Sequence, residues 1–526
     1  MRKCAKVISS RRICFVAGFV AFQMVSSPKA FVGNLREWAK ARHMLRFEAV
    51  LEALWKKMPN HQLVDQGRYR EYESVVRRKA LWSRFRHLFR LVGIKRETYF
   101  LQLKPQDKVA GLGTRATQPR SRQFAHRQRK ILLLATNSLP YTESGYTVRT
   151  HETAKALVKL GEEVQVVTRY GYPLTVGTVP SAKTEVIDGV EYTNVIPFHF
   201  HWAPWKQTKF MTEKVAEIAN RINADVILAT TDFHNALVAH RAAELAGIPW
   251  IYEIRGKLED TWLSKQPEEQ RDLARESDRY IFAKAQEARY ARAANAVVSL
   301  GAPLTEWLLR EGLNEDQIYE IPNAVSTEAF DQSASRTAVR RKLGLPEGIF
   351  IGSVTSVVPY EGLDILLEIA SVEPKLNVLI VGDGADLPRL RKLADELSIA
   401  DRVFLVGRQP SDSIWDWYAA LDVFVLPRLD IEVCRAVTPL KPLGAMAVGT
   451  PVIASDLPAI RYVTGNLATY VKGRDAHDYL RAIEEVLAHP PERESLIDWA
   501  AEHTWDKNAQ VYMKIINTLS AERGSS

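Results

Sequence analysis

A series of short apolar runs separated by helical patterns occurs twice in this chain, and it constrains the fold more than any other feature. The first series comprises KILLLATN (130–137), EEVQVVTR (162–169), DVILAT (225–230), WIYEI (250–254) and AVVSL (296–300). The pattern restarts near residue 330 with IFIGSVT (349–355), NVLIVGDG (377–384), RVFLVG (402–407), DVFVLP (422–427) and PVIAS (451–455). Strands that alternate with helices form parallel, doubly wound sheets. The sequence therefore predicts two Rossmann-like α/β domains that bind ligands at the carboxyl ends of their strands.

The length of 526 residues exceeds what one ordinary core holds, so several domains are expected. We place a basic, mostly helical extension and linker at 1–128, the first Rossmann-like domain at 129–330 and the second at 331–502. The segment 503–526 carries an apolar stripe at helical spacing and predicts a terminal helix.

Positive charge is concentrated in the extension. Residues 1–130 contain 30 Lys and Arg against 8 Asp and Glu, a local net charge of +22, whereas the remainder has 41 basic and 54 acidic residues, a net of −13. Such a block indicates an anionic partner. The patterns at 34–58 and 72–94 place aromatic apolar faces beside basic ones, which suits an anionic membrane surface bound through residues 1–100. Packing of these stripes on the folded domains is the alternative. No recognition motif accompanies the charge, so nucleic acid is not a predicted partner.

The apolar run ICFVAGFVAFQMV (13–25) is too short for the roughly 20 residues that span a bilayer. It has the shape of a signal peptide, but we favour a helix that dips into a membrane or packs on the protein. The three cysteines, Cys4, Cys14 and Cys434, have neither metal-ligand spacing nor the even number of a disulfide framework. We expect a cytoplasmic protein, with peripheral binding to the inner face of the membrane as a variant of that location.

The segment TPLKPLGAMAVGTPVIASD (438–456) resembles the signature of the retaining family 4 glycosyltransferases. IPNAV (321–325), GLDILLEIA (362–370), LIVGDG (379–384), FLVG (404–407), SGYTVRTHETAKAL (144–157) and IYEIRG (251–256) are similar to further blocks of that family, over about residues 130–520. The resemblance implies the GT-B fold, in which two Rossmann-like domains face a cleft and the last helix crosses back to the first domain. It also implies a hexosyltransferase that uses a nucleotide sugar, with UDP or GDP as the nucleotide, and needs no metal. A glycan or lipid-linked acceptor in polysaccharide biosynthesis at the cell envelope fits the basic extension.

Candidate donor-binding residues lie where strands end. Ser144 and Gly145 follow the first strand and open a helix, where backbone N–H groups favour a diphosphate. Gly384 ends a Gly-x-Gly turn after a strand, and in the resembled family that loop lies near the nucleotide. Lys441 precedes a helix of small residues and could pair with a phosphate oxygen, and Gly444 in the same segment is a further candidate because this helix N-terminus would face the donor diphosphate. Each position also has an ordinary turn or surface interpretation.

The sequence departs from the family pattern at four positions. Family glutamates should fall at Ala436 and Gly444, and a basic pair that holds the diphosphate should fall at Ser356 and Glu361. Cations must still offset the donor diphosphate. The nearest are Arg428, Arg435 and Lys441, of which Arg428 is the first choice because it directly follows a strand; a salt bridge with Asp430 or Glu432 is its alternative role.

In the first domain we predict catalytic roles for His234, Glu253 and Arg255. His234 lies just past a strand, and the resemblance places a histidine that contacts the transferred sugar close to this point, although the offset is imperfect. Glu253, Arg255 and Glu259 follow the next strand, and a guanidinium suits a phosphate or an acceptor anion. His151 in the first helix is a weaker candidate.

Three functions remain open. An active glycosyltransferase is the leading hypothesis. The missing carboxylates at Ala436 and Gly444 motivate a second, a transferase-like binding or scaffold protein without catalysis. A nucleotide-sugar epimerase on the same fold is the third, and it would need no acceptor.

Overall fold

The computed structural model describes residues 128–332 and 334–522, together with Val16, residues 18–21, Gln23, Tyr99 and Gln102. Eight strands form the first sheet: β1 Lys130–Ala135, β2 Glu163–Thr168, β3 Thr184–Ile187, β4 Val190–Thr193, β5 Val226–Thr230, β6 Trp250–Glu253, β7 Ala296–Ser299 and β8 Ile318–Glu320. Six form the second: β9 Ile349–Val354, β10 Leu376–Val381, β11 Val403–Gly407, β12 Val423–Leu426, β13 Val452–Ser455 and β14 Thr469–Val471.

Helices connect the strands in both units. The first unit holds α1 Gly145–Lys159, α2 Pro204–Ile222, α3 Phe233–Ala246, α4 Leu258–Ser264, α5 Arg271–Arg275, α6 Asp278–Ala293 and α7 Ala302–Arg310. The second holds α8 Arg336–Lys342, α9 Asp364–Val372, α10 Leu387–Glu396, α11 Ile414–Ala419, α12 Glu432–Ala436, α13 Lys441–Ala447, α14 Pro458–Thr464, α15 Ala476–Ala488 and α16 Arg493–Glu502. The helix α17 Trp505–Glu522 follows.

Both sheets have the strand order of doubly wound domains. The orders are β3-β4-β2-β1-β5-β6-β7-β8 and β11-β10-β9-β12-β13-β14, and every neighbouring pair is parallel except β3 with β4. The central strands are apolar throughout because helices cover both faces; β1, for example, is buried from Ile131 to Ala135. The two predicted Rossmann-like domains are therefore confirmed, and their strands point their carboxyl ends toward one cleft.

The chain crosses between the domains at two adjacent segments. The Val325 N–H donates to the His503 carbonyl at 2.9 Å, and Val325 forms an isolated bridge with Thr504. Beyond the second crossing, α17 packs on the first domain, where Trp505 and Tyr512 share a core with β1 and α1. The last helix thus belongs structurally to the first domain.

Part of the apolar run 13–25 contacts the first domain. Val16 and Phe19 pack against Phe200 and Leu174, with the Phe19 and Phe200 ring centroids 5.4 Å apart. The described part of this run therefore takes the packed arrangement. The predicted amphipathic patterns at 34–58 and 72–94 and most of the linker lie outside the described residues. Within the described part of the chain, none of the helices combines the length and apolar character needed to cross a membrane.

Candidate active site

The loop that precedes α13 lies against the first domain and closes one side of the cleft. A Cβ atom built on Gly145 would lie 3.6 Å from Leu440 Cδ1, and one on Gly256 would lie 3.3 Å from Val437 Cγ2. Lys257 Nζ lies 3.4 Å from Glu432 Oε1 across the same gap. The start of α1 and the end of β6 therefore face the loop that follows β12.

Ser144 begins α1 with a reciprocal cap. Its N–H donates to Thr147 Oγ1 at 2.7 Å, and its hydroxyl accepts from the Thr147 N–H at 3.4 Å. The cap fixes the angle at which α1 leaves β1. Gly145 consequently sits in the cleft opposite Leu440 of the second domain.

Three charged side chains meet at the carboxyl end of β12. Lys441 Nζ lies 2.6 Å from Glu361 Oε1, and Arg428 Nη2 lies 3.6 Å from the same oxygen. Arg428 is 6% exposed, donates from Nη1 to the Val437 carbonyl at 3.2 Å and lies over the Tyr360 ring. The Arg428 Nε has no hydrogen-bond partner among the described residues.

Two basic side chains share one carboxylate in this Arg428–Glu361–Lys441 cluster. Burial lowers the pKa of Lys441, an effect that Glu361 opposes and Arg428 adds to. Burial raises the pKa of Glu361, but Lys441 and Arg428 outweigh that effect and lower it overall, so the carboxylate is ionised. Glu361, a position where the family pattern implies a cation, is thus the counter-ion of two cations supplied from elsewhere. Arg428 pairs with Glu361 instead of Asp430 or Glu432. This arrangement depends on contacts across about 70 to 80 residues of sequence, which strand-level analysis does not detect.

Arg435 is engaged outside this cluster. Its side chain is 51% exposed, and its Nη2 donates to Asp430 Oδ2 at 2.6 Å. An exposed ion pair of this kind contributes little to stability. Of the three cations suggested by the sequence, the structure brings together only Arg428 and Lys441.

Gly384 and Gly444 both have packing reasons to be glycine. A Cβ atom on Gly384 would overlap the Val357 carbonyl oxygen, and one on Gly444 would come within 2.9 Å of the Tyr418 ring. The Tyr418 ring therefore occupies space that a glutamate side chain in place of Gly444 would need. Donor contacts by these two glycines stay a prediction.

Glu253 and Arg255 lie beneath the cleft surface in a buried ion network. Glu253 is 0% exposed and accepts from Arg149 Nε at 2.6 Å and from Arg255 Nη2 at 2.7 Å. Burial alone would raise the pKa of Glu253. The Arg255 and Arg149 guanidinium groups together outweigh that effect and lower the pKa to about 2. Arg255 also donates to the Tyr146 carbonyl at 2.7 Å and to Thr150 Oγ1 at 2.6 Å. In this conformation both side chains pair with protein groups, although the Arg255 Nε has no hydrogen-bond partner among the described residues. Catalytic roles for Glu253 and Arg255 stay a prediction.

Arg149 was not singled out by sequence and is the centre of that network. It is 2% exposed and donates to the carbonyls of Ile321 and Pro322, both at 2.8 Å, and to Asn323 Oδ1. Asn323 in turn donates to the Thr438 carbonyl of the second domain at 2.7 Å. The sequence signal that could have identified Arg149 is a basic residue on the side of α1 that carries its apolar residues.

His234 lies at a small pocket beyond the ends of β5 and β6. Its side chain is 45% exposed, its Nδ1 lies 3.0 Å from Asp232 Oδ2, and its ring stacks on Phe233. The pocket measures about 90 Å³, and its lining includes Glu259 and Glu287. Burial and then the Asp260 carboxylate raise the pKa of Glu259 to about 7. His234 is thus the one predicted catalytic residue that the structure leaves facing solvent.

The remaining first-domain candidate serves a local contact. His151 places Nδ1 2.8 Å from the Tyr192 hydroxyl and Nε2 2.9 Å from Asp188 Oδ2, which ties α1 to the β3–β4 hairpin. Among residues 128–332 and 334–522, no group of three or more His, Cys, Asp or Glu side chains has the arrangement of a metal site.

Residues 144–324 match the family described as "Glycosyl transferase 4-like domain", and residues 335–503 match "Glycosyl transferases group 1". A D-inositol 3-phosphate glycosyltransferase of Streptomyces bingchenggensis is 26% identical over 430 residues, which cover 74% of this chain and 89% of the relative. Alignments with other relatives of that name span from 45% to 97% of the relative's length.

Solved structures share the fold. Sucrose-phosphate synthase from Thermosynechococcus elongatus superposes with a TM-score of 0.62 at 19% identity, covering 75% of this chain and 100% of that one. HepE of Anabaena, solved in complex with UDP and glucose, superposes with a TM-score of 0.54 at 17% identity, again over 75% of this chain and 100% of the other. At these identities the likeness shows the fold alone.

Proposed function

Because the chain belongs to the family 4 glycosyltransferases of the GT-B fold and is a glycosyltransferase, we propose that it moves a sugar from a nucleoside diphosphate to a hydroxyl group of a glycan or lipid-linked acceptor, with retention of configuration. The observation that carries the proposal is the Arg428–Glu361–Lys441 cluster in the cleft. A donor diphosphate brings about two negative charges, and buried, fixed cations are the groups that stabilise it.

The cluster supplies preorganised positive charge. Glu361 holds Arg428 and Lys441 in place before the donor arrives, so little reorganisation is needed when phosphate oxygens approach. The Arg428 Nε, which lacks a partner among the described residues, is an available donor for one of those oxygens.

The transfer itself breaks the bond between the anomeric carbon and the diphosphate oxygen and forms one to the acceptor oxygen on the same face. The acceptor hydroxyl proton passes to the departing diphosphate. The protein's part is to position the two substrates and to stabilise the leaving group.

UDP is the first nucleotide to test, with GDP second. HepE was solved with UDP and glucose, and starch synthase IV from Arabidopsis thaliana, a further structural neighbour, was solved with ADP. Isothermal titration of the full chain with UDP, GDP and ADP should show micromolar binding of one of them.

Two substitutions and a control make that titration specific. Arg428→Ala and Lys441→Ala should each weaken nucleotide binding about tenfold, which corresponds to about 1.4 kcal/mol. Arg435→Ala removes an equal charge from an exposed pair and should change binding less than twofold. A folded protein that binds none of the nucleotides would instead support the scaffold alternative. Release of a free epimerised sugar nucleotide without acceptor would identify an epimerase.

We further propose that the basic extension brings the enzyme to an anionic membrane surface on the cytoplasmic side. Its local net charge of +22 supports this. The full chain should float with vesicles containing phosphatidylglycerol in low salt and remain behind with neutral vesicles. Equal binding to both would refute a charge-driven contact.

A further inference from the structure

The segment 437–440 joins the cation cluster of the second domain to the first domain. Leu440 packs against the core that β1, α1 and α17 share, and Val437 Cγ2 lies 3.3 Å from the position of a Cβ atom on Gly256. Thr438 lies between them and is 3% exposed. The segment ends directly before Lys441, so the first domain contacts the backbone that leads into the Arg428–Glu361–Lys441 cluster.

Consecutive carbonyl groups of this segment accept hydrogen bonds from different domains. The Val437 carbonyl accepts from Arg428 Nη1 at 3.2 Å, whereas Glu361 Oε1 lies 3.6 Å from Arg428 Nη2. The Thr438 carbonyl accepts from Asn323 Nδ2 of the first domain at 2.7 Å. At 3.6 Å the contact with Glu361 is too long for a hydrogen bond and acts by charge, which has no preferred direction. The Val437 carbonyl therefore fixes the orientation of the Arg428 guanidinium.

The Asn323 amide matches the hydrogen-bonding character of both its neighbours. Its Oδ1 accepts from Arg149 Nη1 at 3.1 Å, and its Nδ2 donates to the Thr438 carbonyl. A guanidinium only donates and a carbonyl only accepts, so the two ends of the amide cannot exchange places. Asn323 is 4% exposed, and Arg149 also holds the backbone beside it through the Ile321 and Pro322 carbonyls. Asn323 is thus a fixed hydrogen-bond donor from the first domain to the second.

We propose that Asn323 is a positioning residue for the donor diphosphate. It holds the Thr438 carbonyl, the adjacent Val437 carbonyl orients the Arg428 guanidinium, and Arg428 binds the phosphate. The inference rests on the donor-binding function proposed above. The affinity for nucleotide is then set in part by the first domain, through a residue whose own hydrogen bonds go to Arg149 and Thr438. By linkage, a bound nucleotide stabilises the contact between the two domains at this segment.

Asn323→Asp separates the two contacts of the amide. The carboxylate can still accept from Arg149, but it cannot donate to the Thr438 carbonyl. Isothermal titration should show that whichever of UDP, GDP and ADP binds the unmodified chain binds this variant at least fivefold more weakly. Asn323→Ser adds no charge and should give the same loss, which covers the case that the aspartate prevents folding. Tyr462→Phe is the matched control, because it removes a 3.0 Å hydrogen bond to Glu320 across the same domain boundary, and it should change the affinity less than twofold.

A double-mutant cycle with Arg428→Ala shows whether Asn323 acts through Arg428. Substitutions at independent sites add, whereas substitutions of residues that act through one another do not. In the Arg428→Ala background, Asn323→Asp should therefore change the nucleotide affinity less than twofold. An equal loss in both backgrounds would overturn the proposal, and so would an unchanged affinity when Asn323→Asp is the only substitution.

Hydrogen exchange without nucleotide tests the contact between Asn323 and the segment independently of the donor. Peptides that cover residues 437–447 should exchange at least threefold faster in Asn323→Asp than in the unmodified chain, and at the unmodified rate in Tyr462→Phe. Unchanged exchange in Asn323→Asp would overturn the positioning role. Failure of the unmodified chain to bind any of the three nucleotides would instead overturn the proposed transferase function, while the exchange rates still decide whether Asn323 holds the segment.

Discussion

Glu253→Gln removes one negative charge from between two buried guanidinium groups and leaves the shape of the side chain unchanged. Both carboxylate oxygens of Glu253 are engaged, by Arg149 at 2.6 Å and by Arg255 at 2.7 Å, and the side chain is 0% exposed. The substitution tests whether this residue stabilises the fold or acts in the reaction.

The magnitude follows from the pKa of Glu253, which falls from 4.5 to about 2 in the folded protein. A shift of that size corresponds to about 3 kcal/mol of stability at neutral pH. Removing one partner of a buried ion pair costs about 3–5 kcal/mol because the remaining charges stay buried. We therefore expect Glu253→Gln to lower the free energy of unfolding of the first domain by about 3–5 kcal/mol.

The sign of the pH dependence is fixed by the depressed pKa. Below about pH 4.5 Glu253 becomes protonated in the unfolded chain but stays ionised in the folded protein. The stability that the ionised Glu253 contributes is therefore fully present above that pH. It is lost progressively as pH falls toward 2. The Gln variant should lack this component of acid sensitivity.

Urea unfolding at pH 7 and pH 4, followed by tryptophan fluorescence, measures both effects. The exposed Glu396→Gln, which loses only a surface pair with Lys392, is the matched control and should stay within about 0.5 kcal/mol of the unmodified protein. A Glu253→Gln protein that unfolds at the normal urea concentration but fails to turn over would refute the structural role and restore the catalytic one.

Three further outcomes are expected. Glu259 has its pKa raised by burial to about 7, so the folded protein keeps a proton that the unfolded chain loses between about pH 4.5 and 7. Stability from this group falls as pH rises through that window, and Glu259→Gln should stabilise the protein by up to about 3 kcal/mol at pH 8 and by nearly nothing at pH 4, as measured by urea unfolding. Gly444→Glu restores the carboxylate of the family pattern but forces it against the Tyr418 ring; we expect a loss of about 1–3 kcal/mol and no gain in nucleotide affinity by titration. Gly301 has a φ of +137°, and its Cβ would overlap the Tyr462 ring, so Gly301→Ala should lower the melting temperature in calorimetry, and Tyr462→Leu in the same chain should recover only part of the loss.

The fold was predictable wherever strands are buried on both faces. The apolar runs at 130–137 and 349–355 each correspond to a central strand, β1 and β9. The β3–β4 hairpin was not predicted because β3, at the edge of the sheet, alternates exposed and half-buried residues and has no apolar run. Its turn, Asp188-Gly189, adopts positive φ at both positions, and that dipeptide is a hairpin signal that could have been used.

The sequence predicted where the candidate site lies better than it predicted what each of its residues does. Arg428 and Lys441 were identified because they border a strand and a helix. Their shared partner Glu361 lies in a different loop, so the sequence did not indicate that the three side chains meet. Glu253 and Arg255 were assigned to chemistry because charges at a strand end rarely enter a core. Arg149, which is 104 residues from Glu253, supplies the compensating charge that lets them do so.

The path of α17 has a consequence for the order in which the chain matures on the ribosome. The apolar cores of the second domain draw on residues 325–500, so these cores can form before α17 emerges. The face of the first sheet that carries Ile131 and Leu133 must wait for Trp505 and the residues up to Leu519. The domain that is synthesised first is therefore completed last, the reverse of the usual N-terminal-first sequence of domain folding. A chain truncated after residue 504 and released would hold the complete cores of the second domain and a first domain with an open apolar face, which is a substrate for chaperones.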